Sequence, residues 1–377
     1  MRSVILGIMI IGGVIIALSC EQTQKSSKTQ LAAVELTAKQ QLGKKLFNDT
    51  NLSTPPGQAC ADCHAPQAGF AEPKTENPTS QGIHPDRFGN RNDLPAAYAG
   101  FSPEFRYDTE KKEYVGGTFW DGRAANLVEQ AKGPFLNQLE MANPDKKAVV
   151  DQVSKAEYVN LFKEIYGADA LQDVEKAYNF IADAIADYEK SKELNRFDSK
   201  YDLYLAGKAA LTEQEKSGLA LYEDKDKGNC ATCHTSKPGP NGVPPVFSDY
   251  TYKNLGVPKN AENSFYYLSG DFNPAGVSYV DLGLGAIVKK PEENGKFRVP
   301  SLRNVEVTGP YMHNGVFKTL HQVVSFYNTR DIGPWDEPEV PQNVNKKDMG
   351  TLGLTEQEID DIVAFLKTLT DGYDEKE

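Results

Sequence analysis

The chain has 377 residues, of which 39% are hydrophobic and 25% charged, a balance that excludes wholesale disorder and suits about two or three ordinary domains. Its net charge of −12 argues against nucleic acid as a partner. An acidic surface suits a basic redox partner, although solubility alone explains the charge equally well.

The first residues read Met1-Arg2-Ser3, then an apolar run from Val4 to Leu18, then Ser19-Cys20. A basic start, a short apolar stretch and a small residue before the break describe a secretory signal. The run is too short for a comfortable transmembrane helix. Ala17-Leu18-Ser19-Cys20 resembles a bacterial lipoprotein processing site. Residues 1–20 are therefore expected to be a lipoprotein-type signal peptide, with 21–30 as a polar tether and Cys20 as the lipid anchor. Ordinary cleavage near the same point, with no lipid, is the alternative.

Three segments open alike: Leu36-Thr37-Ala38-Lys39-Gln40, Leu211-Thr212-Glu213-Gln214-Glu215 and Leu354-Thr355-Glu356-Gln357-Glu358. Threonine three residues before Glu or Gln is a capping box, and the preceding leucine serves as a staple. Helices are predicted to start at all three points. The first two also share a glycine, in Gly43-Lys44-Lys45-Leu46-Phe47 and Gly218-Leu219-Ala220-Leu221-Tyr222. A mid-helix glycine costs helix stability, so each is expected to admit the close approach of a second helix.

Each of these two segments leads into the same pentapeptide, Cys60-Ala61-Asp62-Cys63-His64 and Cys230-Ala231-Thr232-Cys233-His234. This is the attachment pattern of c-type haem. The two thiols each add to a porphyrin vinyl group, and the adjacent histidine reaches the iron as proximal ligand. A zinc knuckle or a thioredoxin-like dithiol are the alternatives for a single copy. Two copies behind an export signal favour covalent haem. The cysteines divide accordingly: four for two haems and Cys20 for a lipid, leaving none for a disulfide.

Partner helices are predicted from apolar spacing. Val174 to Lys190 offers Val174, Tyr178, Ile181, Ile185 and Tyr188; Leu354 to Leu369 offers Ile359, Ile362, Val363, Leu366 and Leu369. The expected fold is all-α, with two cytochrome c-like haem domains, at 31–205 and 206–377, and long irregular loops. Those loops, 66–107 and 237–300, are long enough to wrap a ligand. The remaining histidines, His84, His313 and His321, with Met141, Met312 and Met349, are the ordinary candidates for sixth ligands.

Further motifs carry a resemblance over nearly the whole mature chain. Phe119-Trp120-Asp121-Gly122-Arg123-Ala124, Glu129-Gln130-Ala131-Lys132-Gly133-Pro134 and Glu140-Met141 resemble one signature of the bacterial di-haem cytochrome c peroxidase and MauG superfamily. Leu302-Arg303-Asn304-Val305, followed by Thr308-Gly309-Pro310-Tyr311-Met312-His313-Asn314-Gly315, resembles a second. The resemblance implies that Trp120 lies between the haems and carries electrons. It implies that Glu140 is the acid–base group over an open N-terminal haem, with Gln130 hydrogen-bonding nearby. A carboxylate there can take the proton from one peroxide oxygen and deliver it to the other. His84 matches a displaceable ligand of the first haem iron, on a loop longer than usual; an exposed loop histidine is the alternative.

The family's methionine ligand of the second haem aligns with Tyr327, as in MauG-like members. A tyrosinate lowers the reduction potential relative to methionine. Met312, His313 and His321 stay open as alternatives. The resemblance also implies a calcium ion held between domains by Asn92, Thr308 and Pro310.

The expected function is reduction of hydrogen peroxide to water at the His64 haem, with electrons entering through the His234 haem from a small cytochrome c or cupredoxin. The expected place is the periplasm or cell envelope, with membrane contact only through the lipid. Relatives are often homodimers, but no interface is readable here. A MauG-like oxidase acting on a protein or small molecule, and a non-catalytic electron-transfer cytochrome, are the rival readings.

Overall fold

The computed structural model describes residues 35–239 and 242–374. The segments expected to be a signal peptide and tether, Cys20 included, lie outside the described residues. No helix among those described is long and apolar enough to cross a membrane.

In chain order the helices are α1 (Ala38–Phe47), α2 (Cys60–Cys63), α3 (Leu127–Leu136), α4 (Lys146–Val153), α5 (Val159–Tyr166), α6 (Val174–Glu189), α7 (Lys200–Leu205), α8 (Glu213–Glu223), α9 (Leu284–Val288), α10 (Leu320–Thr329) and α11 (Glu356–Lys367). Thr37, Thr212 and Thr355 each sit at an N-cap with both bonds of the capping box formed. Two further boxes, Ser199 with Asp202 and Thr319 with Gln322, start α7 and α10. Each box satisfies two backbone donors that the first helical turn leaves free.

Two hydrophobic cores follow. In the first, α1 crosses α6 and buries Leu42, Leu46 and Phe47 against Tyr178, Ile181, Ile185 and Tyr188. In the second, α8 crosses α11 around Tyr222, Ile359, Ile362 and Phe365. Full burial of side chains this size contributes roughly 1.5–3 kcal/mol each. The crossings are tight because each carries a glycine. A Cβ on Gly43 would fall on the Ala184 carbonyl, and one on Gly218 on the Asp361 carbonyl. Gly218→Ala should therefore lower the urea midpoint although alanine is the better helix former. Overpacking against backbone costs about 1–3 kcal/mol, against the ~1 kcal/mol that helix propensity returns.

The molecule is helix-dominated but not purely helical. Two short antiparallel ribbons form within the irregular segments: β1 (Arg106–Asp108) with β2 (Glu113–Val115), and β3 (Tyr252–Lys253) with β4 (Phe297–Arg298). They are tied to each other. A bridge joins Val115 to Thr251, Gly116 N–H donates to the Tyr250 carbonyl at 3.0 Å, and Arg298 N–H donates to the Trp120 carbonyl at 2.8 Å. The segments that follow the two CxxCH motifs are thus stitched together across the middle of the molecule. This gives Trp120 a fixed backbone position.

Candidate haem sites

Two cavities open beside the two CxxCH motifs. They contain ≈ 1660 and ≈ 1700 Å³ of empty space, their mouths included. The N-terminal one is lined by Cys60, Cys63 and His64, the C-terminal one by Cys230, Cys233 and His234.

The histidines are oriented by one device used twice. His64 Nδ1 lies 3.1 Å from the Phe70 carbonyl, and His234 Nδ1 lies 2.8 Å from the Phe247 carbonyl. A ring that donates from Nδ1 keeps Nε2 as a lone pair for a metal. Both phenylalanines are in the left-handed region, at φ 62° and 54°. That conformation costs a non-glycine residue roughly 1–2 kcal/mol, and here it belongs to the residues whose carbonyls hold the two imidazoles.

The thiols discriminate between the alternatives. Burial pushes Cys60, Cys230 and Cys233 up to about 12, so they stay protonated. A redox dithiol needs a stabilised thiolate, and these sites oppose one. The compact cluster Cys63–Glu72–Asp93 lacks the second cysteine and the histidine of a zinc knuckle. A protonated thiol pair, an oriented imidazole and a large apolar cavity fit covalent haem in each half.

Glu140 lines the N-terminal cavity, and its Oε1 accepts a hydrogen bond from Asn137 Nδ2 at 2.6 Å. Burial, reinforced by the Asp93 charge, raises its pKa to about 7; the Asn137 bond and Arg123 pull the other way. Gln130 comes to the same cavity from α3, which Asn126 caps. Glu189, at the end of α6, also lines it, and burial raises this carboxyl to about 8.

Trp120 lines both cavities, and its Nε1–H donates to the Asn92 carbonyl at 2.7 Å. Tyr327 on α10 lines the C-terminal cavity, where burial holds its hydroxyl pKa well above the usual range. Among the described residues that hydroxyl has no hydrogen-bond partner. Met312, His313 and Met349 line the same cavity. His313 is buried and stacked on Phe297 at 3.6 Å; its Nε2 makes no hydrogen bond and lies 3.8 Å from Glu339 Oε2.

Two histidines stand apart. His321 projects from α10 toward Glu356, 3.3 Å away, with 45% of its side chain exposed, and lines neither cavity. His84 is half-buried and also lines neither cavity. Its loop is pinned instead. Ile83 N–H donates to the Glu140 carbonyl at 2.9 Å, and Arg87 N–H to the His84 carbonyl at 3.0 Å. A Cβ on Gly82 would collide with the Leu139 carbonyl, so the loop lies flat on the backbone that carries Glu140.

Asn92 and Pro310 are brought together, with Asn92 Nδ2 2.5 Å from the Pro310 carbonyl. Thr308 joins them along the C-terminal cavity. Cation binding there requires the Asn92 amide to present its oxygen instead.

Asn137, Glu189, Phe70 and Phe247 were not singled out from the sequence. Glu189 had a signal: it follows Ile185 by four residues and so continues the buried stripe of α6.

A model of the family "Di-haem cytochrome c peroxidase" matches residues 37–210. MauG of Paracoccus denitrificans is 38% identical over 349 residues, covering 88% of each chain. The cytochrome c551 peroxidase of Pseudomonas aeruginosa is 32% identical, covering 84% of this chain and 79% of that protein. The crystal structure of the diheme peroxidase BthA from Burkholderia thailandensis superposes with a TM-score of 0.80 at 33% identity, covering 89% of this chain and 86% of that one. The chain belongs to the di-haem cytochrome c peroxidase and MauG family. Membership implies two haem c groups, and the two cavities are where this chain has the residues to hold them.

Proposed function

We propose that the protein reduces hydrogen peroxide to water at the N-terminal site: H₂O₂ + 2 e⁻ + 2 H⁺ → 2 H₂O. The two electrons come singly from a small cytochrome c or cupredoxin. Bound haem supplies an iron that accepts peroxide on one side and an electron relay on the other. His64 and His234 would hold the two irons, each ring steadied by its phenylalanine carbonyl. Trp120, shared by both cavities, connects the two sites.

The observation that carries this reading is Glu140, a carboxyl with a pKa of about 7 inside the N-terminal cavity. A group balanced near neutrality takes and returns a proton at small cost. In its ionised form it removes the proton from one peroxide oxygen; once protonated, it delivers that proton to the departing oxygen. Asn137 fixes its direction, and Gln130 offers a second hydrogen bond. His84 stands on the loop beside Glu140 without lining the cavity, and in this reading it does not hold the first iron.

The pH–rate profile tests it. Because Glu140 must start ionised, kcat/KM for peroxide should rise with pH and level off above about 7. A profile flat from about pH 5 to about pH 8 would remove Glu140 from the proton path.

One observation favours a second reading. Tyr327 lines the C-terminal cavity, and tyrosinate ligation lowers the potential of that haem. A low-potential second haem suits a MauG-like oxidase acting on a protein or small molecule. Oxidation of reduced cytochrome c by peroxide at catalytic enzyme levels separates the two readings in favour of the peroxidase.

The same reading assigns residues 31–205 to the peroxide-binding haem domain and 206–377 to the electron-transfer domain. It assigns a calcium ion to Asn92, Thr308 and Pro310. It places the protein in the periplasm or cell envelope, anchored through Cys20, and leaves room for a homodimer.

A further inference from the structure

Arg298, at the end of β4, borders both cavities and is 7% exposed. Its Nε donates to the Phe119 carbonyl at 3.0 Å. Among the described residues its other two nitrogens have no hydrogen-bond partner, and no carboxylate lies within ion-pair distance. Three other arginines with buried guanidinium groups each meet a carboxylate: Arg91 with Asp121 and Asp281, Arg303 with Asp202, Arg330 with Asp331. A buried cation costs on the order of several kcal/mol unless an anion meets it.

Tyr250 lies beside it, with the Arg298 guanidinium 5.8 Å from its ring centre. Tyr250 lines the N-terminal cavity, and its hydroxyl is buried with no hydrogen-bond partner among the described residues. Its backbone is held in the left-handed region at φ 57°, fixed by Gly116 N–H on its carbonyl and Ser248 Oγ on its amide. Two independent polar groups, both buried and both lacking an acceptor, therefore border one cavity. The acceptor they lack is anionic, and a guanidinium fork beside a hydroxyl is suited to a carboxylate.

We propose that Arg298 and the Tyr250 hydroxyl form a carboxylate-binding site at the seam between the two cavities, and that it takes a propionate of the N-terminal haem. Tyr250 lines only the N-terminal cavity, which selects that haem. A positive charge held at the propionate favours the reduced iron over the oxidised one, so the site raises the potential of the first haem. The inference rests on the two-haem assignment and not on peroxide chemistry, so a protein inactive toward peroxide still tests it.

The test is spectroelectrochemical titration of the holo-protein and its Arg298→Met, Arg298→Lys and Tyr250→Phe variants, each first shown by intact mass to carry two haems. Arg298→Met should lower the N-terminal midpoint by about tenfold in the redox equilibrium, or about 59 mV. Tyr250→Phe should lower it less, and Arg298→Lys should retain most of the wild-type value. Added acetate should change none of these. If Arg298→Met is not recovered, Tyr250→Phe decides alone. Unchanged midpoints in the variants would overturn the proposal. So would a wild-type midpoint that titrates with acetate while the variants' do not, because the site would then take a free carboxylate.

Discussion

Glu140→Gln should lower peroxide turnover by about 10²–10⁴ and leave both haems attached. Glutamine has nearly the same shape and can still accept the bond that Asn137 Nδ2 now makes at 2.6 Å. The loop lying on the Glu140 backbone keeps its bond from Ile83 N–H. Only the proton acceptor is lost. The substitution also removes a carboxyl whose pKa burial has raised to about 7, so the variant should lose the rise in rate toward pH 7 as well. Turnover measured against reduced cytochrome c, with haem content as the control, reads both effects. Wild-type turnover in this variant would remove Glu140 from the chemistry.

Arg303→Met should destabilise the fold by about 3–5 kcal/mol. The guanidinium is fully buried and grips Asp202 with two bonds, of 2.5 and 2.8 Å. It also donates to the Pro245 carbonyl from two nitrogens, and Tyr98, Phe197 and Phe247 surround it. Methionine fills the space but leaves the Asp202 carboxylate buried without its cation. The damage should extend to the second haem site, because the Pro245–Phe247 segment carries the carbonyl that orients His234. Chemical denaturation of the holo-protein measures the loss. A change under ~1 kcal/mol would mean that Asp202 finds water or another donor, as exposed pairs do. Lysine at this position keeps the charge but not the fork, so it should restore only part of the stability.

The sequence was most legible where the physics is local. A capping box is complete within four residues, so Thr37, Thr212 and Thr355 could be read as helix starts without knowing what the helices pack against. The CxxCH pentapeptides are equally self-contained. Gly43 and Gly218 were legible as helix crossings because glycine is costly in a helix and needs a reason. The ribbons were not legible. Their strands are two or three residues long, and β3 meets β4 from more than forty positions away in sequence. Hydrogen bonds to main-chain carbonyls leave no side-chain pattern, which is why the Phe70 and Phe247 supports of the proximal histidines escaped notice. Arg303 stood inside a recognised motif, but its partner Asp202 sits on α7, a helix the apolar spacing did not announce.

The histidines illustrate the limit from the other side. His84 and His321 have the right chemistry for an iron ligand, and composition alone cannot exclude either. His321 fails by helix geometry, six residues and a different face away from Tyr327 on α10. His84 does not line the N-terminal cavity, although its loop is tied to the Leu139–Glu140 backbone beside it, a contact that only the folded chain reveals.

The most direct test is to reduce both haems of the purified holo-protein fully and titrate it with hydrogen peroxide in the absence of any donor. Loss of both reduced-haem bands at one equivalent of peroxide, two electrons taken together by one molecule, is the result this account expects. Reduced bands that survive several equivalents unchanged would contradict it, since neither iron would then be open to peroxide.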